Sequence, residues 1–320
     1  MYPELFKVGP FTVYSYGLML GISFIVASYI LNKEFERRKL NPAIATEITL
    51  FAIIFGIAGS KILDLIENWD SFIANPLSAF SPGGLTFYGG LILATFAIWI
   101  YVRKKKIPFL VVADAVSPSL ILAYGIGRIG CQLAGDGDYG TPTSLPWGTI
   151  FANGTVKPHY ALMQYYQDHP AAALRDNYYK LSSEIIKTDA YGTITKFDET
   201  IRLHPAPIYE FFACLLIFFF LRYLQRKTTP SGITADGNSS TSVWADGKIF
   251  MLYLFLAGIE RLSIEFIRLN PKLLFGLSEA QLISIVLIII GAIGFYYFSV
   301  NKNKMVKFIA PPLKIESKNK

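Results

Sequence analysis

Charge is scarce in this chain. Only 17% of its 320 residues are Asp, Glu, Lys or Arg, against about 25% in an ordinary soluble domain. The shortage excludes a conventional soluble enzyme, because the 52% hydrophobic residues fall in blocks of about 20, the length that crosses a bilayer. Cysteine is rarer still. Cys131 and Cys214 provide neither a disulfide framework nor metal-ligand spacing, so no metal and no cofactor are expected. Cys214 lies in an apolar run and reads as packing, and Cys131, without a nearby histidine in sequence, reads the same way. No basic run precedes the first apolar segment, which reads as a retained span rather than a cleaved signal.

What is present is an all-α polytopic pattern. About seven spans can be drawn, near 13–31, 45–66, 86–102, 109–127, 206–224, 248–267 and 281–299. The formal charge of +7 is not a nucleic-acid signal. It sits in alternate connections, with Lys33, Arg37, Arg38 and Lys39 in the first and Arg103 to Lys106 in the third. Arg226, Lys227 and Lys248 flank the fifth, and a basic tail follows the last span. The positive-inside rule then places the N-terminus outside and the C-terminus in the cytoplasm. The expected organisation is spans one to four over 1–127, a signature loop and small extracytoplasmic cap over 128–205, spans five to seven over 206–299, and a basic cytoplasmic tail over 300–320. Within the cap, Leu174, Tyr178, Leu181 and Ile185 recur at roughly helical spacing and predict an amphipathic helix over Pro170–Lys187. Thr228–Ser242 reads as a Ser/Thr/Gly-rich linker.

Chemistry-bearing residues gather at the expected outer ends of spans. The run Ala123-Tyr-Gly-Ile-Gly-Arg-Ile-Gly-Cys-Gln-Leu-Ala-Gly-Asp-Gly-Asp-Tyr-Gly140 places Arg128 among glycines, with Asp136 and Asp138 just beyond. A lone arginine at a helix end is often a snorkelling cation. On the outer side, however, a planar guanidinium suits bidentate phosphate binding. Gly258-Ile-Glu-Arg-Leu-Ser-Ile-Glu-Phe-Ile-Arg268 puts Arg261 and Glu265 at i,i+4 on one helix face. That spacing fits either a self-neutralising ion pair or a site facing the bundle interior. His204-Pro-Ala-Pro-Ile-Tyr-Glu210 marks a helix start, with Glu210 near the positive end of the helix dipole. Tyr16 and Tyr88 are individually weak signals, since aromatics are common at membrane interfaces.

Taken in order, these blocks resemble the prolipoprotein diacylglyceryl transferase family. Tyr16-Gly-Leu18, Gly83-Gly-Leu-Thr-Phe-Tyr-Gly-Gly90, Gly127-Arg-Ile-Gly130, His204-Pro-Ala-Pro-Ile-Tyr-Glu210 and the Gly258–Arg268 block follow the family's sequence of motifs over nearly the whole chain. The resemblance implies a multi-pass bacterial inner-membrane enzyme. It would move a diacylglyceryl group from phosphatidylglycerol to the lipobox cysteine of a preprolipoprotein signal peptide, making a thioether and releasing glycerol phosphate. Arg128 and Arg261 would hold the lipid phosphate, with Tyr16, Gly127 and Gly130 beside it, and Glu265 would hold Arg261. Asp136, Glu210 and His204 compete as the base, and Tyr88 would donate a hydrogen bond. The chain departs from the pattern at Tyr88, where the family has histidine, at Cys131 to Asp136, where the usual asparagines are missing and the acid is shorter, and at Ala257. These departures leave a catalytically silent lipid- or lipoprotein-binding relative as one alternative. A small-solute transporter is another, although a transporter would place polar groups through the bilayer midplane.

Overall fold

The computed structural model describes residues 1–76, 86–181, 183, 185–189, 192–227, 232–233, 239–240 and 246–301. The first part of the Gly83–Gly90 block, most of the expected linker and nearly all of the basic tail lie outside the described residues. The chain is mainly helical. A short hairpin, β1 (Glu4–Val8) and β2 (Phe11–Tyr14), leads straight into α1 (Ser15–Arg37). Then come α2 (Pro42–Glu67), α3 (Trp69–Ala74), α4 (Phe87–Lys104) and α5 (Phe109–Ala134). After a loop region containing α6 (His159–Asp168), α7 (Pro170–Arg175), α8 (Tyr178–Leu181), the hairpin β3 (Ile185–Asp189) and β4 (Gly192–Thr195), and α9 (Lys196–Thr200), the chain finishes with α10 (Ala206–Lys227), α11 (Lys248–Glu265) and α12 (Glu279–Val300).

Five of these helices, α1, α2, α5, α10 and α12, are long and apolar enough to cross a membrane. Helix α11 is shorter, at 18 residues, and carries Lys248, Glu260, Arg261 and Glu265. Two of these charges, Arg261 and Glu265, belong to the cluster described below.

The chain forms two compact units. One comprises Met1–Ala27, Ser117–Lys227 and Lys248–Val300, and the other is built mainly from Ser28–Val116. In the second unit α2 and α4 pack almost backbone to backbone, since a Cβ on Gly59 would stand 2.3 Å from the Gly89 carbonyl oxygen. Leu31, Phe35, Ile48, Val102 and Val112 form its core, and buried Glu34 accepts from Arg37 and Arg38. In the first unit α11 and α12 are equally close, and a Cβ on Gly291 would lie 2.5 Å from the Phe255 backbone nitrogen. Helix α12 starts with a reciprocal cap. The Ser278 N–H donates to Gln281 Oε1 at 2.9 Å, and the Gln281 N–H donates to Ser278 Oγ at 3.3 Å.

Two sequence expectations are corrected. Pro170–Lys187 is not one amphipathic helix. Asn177 takes a left-handed conformation with φ +54°, which ends α7 and separates it from α8, and Ile185 already belongs to β3. The buried face of this region is shared by three short helices: Leu162 and Tyr166 of α6 and Ala173 of α7 are fully buried, and Tyr178 of α8 joins them against Phe151 and Leu203. Nor does α5 stop at residue 127. It continues to Ala134, so Arg128, Gly130 and Cys131 stand on its last two turns rather than in a loop.

Candidate active site

The site is assembled by an extended segment after α5. Gly140 N–H donates to the His204 carbonyl at 2.9 Å, and His204 N–H donates to the Thr141 carbonyl at 3.0 Å. On its other side, Thr141 N–H donates to the Ile267 carbonyl at 2.7 Å. The strand-like bridges Gly140 to Arg268 and Pro142 to Leu203 extend this pairing. Residues 139–143 therefore tie the start of α10 to the chain just past α11. Gly140 is required here, because a Cβ would meet His204 Cβ at 2.7 Å and the Ile267 carbonyl at 2.8 Å.

Around this junction three arginines and three carboxylates interlock. Glu210, fully buried in the first turns of α10, sits at the centre. Its Oε2 faces Arg128 Nε at 2.7 Å, and its Oε1 accepts from Arg261 Nη1 at 2.7 Å and from Arg268 Nη1 at 3.3 Å. Asp138 accepts from Arg128 on one oxygen and from Arg268 on the other. Glu265 pairs with Arg261 Nη2 at 3.1 Å, one helical turn away, and also accepts from Asn270 Nδ2 and Ser278 Oγ at 2.6 and 2.7 Å. With equal numbers of guanidinium and carboxylate groups, the cluster is neutral. Neutrality and close ion pairing make a buried ionic network tolerable in an apolar surround.

The three arginines are not equivalent. The side chain of Arg268 is 5% exposed, while those of Arg128 and Arg261 are 18% and 22% exposed. Arg268 is locked between Asp138 and Glu210. Arg128 and Arg261 each keep an open edge, and each guanidinium has more N–H donors than its carboxylate partners use. Arg128 also stacks over Tyr124, with its guanidinium carbon 4.6 Å from the ring centroid. That contact orients the plane of the fork.

Each sequence-predicted residue has a place around this cluster or a reason to stand apart. Arg128, Glu210, Arg261 and Glu265 meet directly. Gly130 brings α1 against α5, since a Cβ there would lie 3.3 Å from Tyr16 Cα, so Tyr16 borders the end of α5. A Cβ on Gly127 would meet nothing within 4 Å, so close packing does not explain that glycine. Asp136 follows the left-handed Gly135 (φ +63°). Its Oδ1 is buried without a hydrogen-bond partner among the described residues.

His204 is part of a chain of polar contacts. Trp147 Nε1 donates to Tyr209 Oη at 2.8 Å, and Tyr209 Oη lies 3.2 Å from His204 Nδ1. Partial burial pushes the imidazole below its usual value, which favours the neutral form. Tyr88 stands on the first turn of α4 in the other unit, edge-on to Phe87. Asp138, Arg268 and Tyr209 were not singled out as site residues from sequence. Arg268 closes the same motif as Arg261, and Asp138 follows Asp136 by two residues; those were the available signals.

One group has metal-like spacing. Cys131 Sγ and the carboxylates of Asp136 and Asp138 place ligand atoms within 4.8 Å of one another. Both Asp138 oxygens are held by guanidinium groups, so an ion would have to displace Arg128 and Arg268. The donor set does not suit a metal. Cys214 is fully buried where α10 meets α5, and a Cβ on Gly125 would be 2.8 Å from Cys214 Cβ. This is a packing role.

The family model for prolipoprotein diacylglyceryl transferase matches residues 3–297. The chain belongs to this family. A phosphatidylglycerol–prolipoprotein diacylglyceryl transferase from Clostridium tetani is 31% identical over 297 residues, covering 92% of this chain and 97% of the relative. Proteins with the same description from Trichormus variabilis and Fusobacterium nucleatum are each 26% identical, over 97% and 96% of this chain and 94% and 100% of theirs. The family's order of motifs thus runs through a chain whose arginines and acids meet in one cluster.

Proposed function

We propose that this chain transfers a diacylglyceryl group from phosphatidylglycerol to the cysteine thiol of a prolipoprotein, as the names of its relatives describe for them. The observation that carries the reading is the pairing of Arg128 and Arg261, from two different helices, on the single carboxylate of Glu210. That pairing holds two partly open guanidiniums side by side. Such a pair is suited to a phosphate monoanion whose bridging oxygen gains charge as its bond to carbon breaks.

In this mechanism the cysteine thiol first loses its proton, because the thiolate is the nucleophile. The sulfur attacks the glyceryl carbon bonded to phosphate oxygen. The C–S bond forms as the C–O bond breaks, and the electron pair leaves on glycerol phosphate, stabilised by Arg128 and Arg261. Glu210, Glu265 and Asp138 position the arginines, and Arg268 keeps Glu210 and Asp138 from repelling each other. Since Glu210 is fully engaged by cations, Asp136 and His204 are the better placed proton acceptors. Asp136 offers an oxygen without a hydrogen-bond partner among the described residues, and His204 a neutral imidazole. Gly127, Gly130 and Tyr16 shape the headgroup approach along α5.

The reading also takes α4 and α11 as spans, giving seven, with residues 128–205 largely an extracytoplasmic cap. The N-terminus faces outward and the C-terminus the cytoplasm, as the distribution of lysine and arginine supports. The lipobox cysteine would approach from the outer side, with the acyl chains remaining in the bilayer.

The test is direct. Purified protein is incubated with phosphatidylglycerol vesicles and a lipobox peptide, and the peptide is weighed by mass spectrometry. A thioether-linked diacylglyceryl adduct that withstands mild base as a thioether supports the transferase. Peptide or lipid binding without an adduct would instead indicate a silent relative.

A further inference from the structure

The connection between α11 and α12 ends in a tip that its own backbone does not favour. Leu273 N–H donates to the Leu277 carbonyl at 2.8 Å, and Leu277 N–H donates to the Leu274 carbonyl at 2.9 Å. This closes a two-residue hairpin over Phe275 and Gly276. Both central residues have positive φ, +53° and +73°. That is the pattern of a type I′ turn, whose first central position is best filled by Asn or Asp. A bulky aromatic there is strained. Phe275 is also 89% exposed, flanked by Leu273 and Leu274 at 65% and 55%. Neither the turn nor packing among the described residues accounts for these three side chains.

We propose that Leu273, Leu274 and Phe275 form a finger that inserts into the outer leaflet of the bilayer and docks the site against an anionic lipid surface. The proposal rests on the membrane-bound transferase reading above. Two observations select lipid as the occupant. The finger is continuous with a membrane helix, since Phe275 lies just before the Ser278 cap and Glu279 start of α12. Exposed Lys272 stands directly beside the apolar tip. Adjacent basic and apolar groups match an interface of anionic headgroups over acyl chains.

The finger is also joined to the arginine cluster. Asn270 and Ser278, one at each base of the loop, both donate to Glu265 Oε1, while Glu265 Oε2 faces Arg261. One carboxylate therefore fastens the loop and orients an arginine. Seating the finger in lipid would fix the height of Arg261 relative to the phosphate layer.

The test uses the full chain in phosphatidylglycerol vesicles. Cys131 and Cys214 are buried at 7% and 0% exposure, so a cysteine introduced as Phe275→Cys is the accessible thiol for an environment-sensitive fluorophore. A second sample carries Glu199→Cys on exposed α9 as a control. The proposal expects blue-shifted emission at 275, quenched by spin labels on lipid tails without any peptide, and no quenching at 199. A water-like signal at 275 overturns it, as does a signal that changes only when lipobox peptide is added, which would make the loop a peptide contact. Phe275→Asn suits the turn better than the natural residue and so separates lost insertion from misfolding. It should raise the apparent KM for vesicle phosphatidylglycerol by about tenfold and leave kcat on short-chain micellar phosphatidylglycerol unchanged. Unaltered vesicle kinetics would overturn the proposal. An inactive wild type would remove the transferase reading and leave the fluorescence result standing.

Discussion

Arg261, on α11, donates to Glu210, on α10, across 2.7 Å. Residues far apart in sequence thereby share one buried ion pair, and the remaining oxygen of that carboxylate faces Arg128 at 2.7 Å. The consequence is geometric. Two guanidinium forks cannot shift independently, because Glu210 is fully buried and bound by both.

Arg128→Lys should keep the charge and lose the function. Lysine presents a point charge and cannot face Glu210 and Asp138 while also presenting a flat edge to phosphate. We expect a fall of about a hundredfold or more in kcat/KM, in the range of losing a donor to a developing oxyanion, with normal membrane insertion. Initial rates on purified variant and wild type decide this, and an unchanged rate would remove Arg128 from the mechanism.

Glu210→Gln should damage both fold and rate. The change leaves buried guanidiniums without their shared counter-charge. Breaking a buried pair by removing one partner costs about 3–5 kcal/mol. Thermal unfolding in detergent should therefore show a clearly lower Tm, and turnover should be lost. Wild-type stability would mean that Glu210 is not the keystone of the cluster.

The proton acceptor is separated by paired variants and a pH profile. Burial pushes His204 below its usual value, so its neutral form persists as pH falls and is lost only below the ordinary histidine range, about 6.5. If His204 is the base, activity holds down to that lower pH and then declines, and His204→Gln abolishes it. The same shift makes folding stability that is present above the unfolded value fall away as pH drops through the folded one. If Asp136 takes the proton, Asp136→Asn removes activity and His204→Gln spares most of it. Full activity in both single variants would exclude each as the sole acceptor.

Tyr209→Phe tests how His204 is held. The variant loses the hydroxyl that joins Trp147 to His204. If His204 works only when oriented, kcat should fall by about tenfold or more and the acid limb of the pH profile should move. Trp147→Phe, which removes only the outer donor, should have a smaller effect of the same kind. A drop in Tm without any change in the pH profile would assign Tyr209 to packing.

Much of this arrangement is legible in the sequence because it is local. The apolar runs bounded the long helices to within several residues, and the i,i+4 spacing of Arg261 and Glu265 anticipated their 3.1 Å pair. The parts that escaped depend on contacts between distant segments. Asp138 joins the cluster because residues 139–143 pair with His204 on one side and with Ile267 on the other, and no periodicity reports such pairing. Arg268 joins for the same reason, because its two carboxylates, Asp138 and Glu210, come from distant parts of the chain. In the cap, apolar spacing over 174–185 suggested one helix, but a single left-handed residue, Asn177, outweighed it. The strained Phe275 turn was equally silent, since its sequence carries none of the usual Asn–Gly signal.

Most direct of all is the position of a bound phosphatidylglycerol in a structure of the full chain in lipid. The account predicts the phosphate against the open edges of Arg128 and Arg261, with at least one nitrogen of each guanidinium within about 3 Å of a phosphate oxygen and Glu210 still bridging the pair. A headgroup bound at another part of the fold, with both arginines facing only carboxylates, would contradict it.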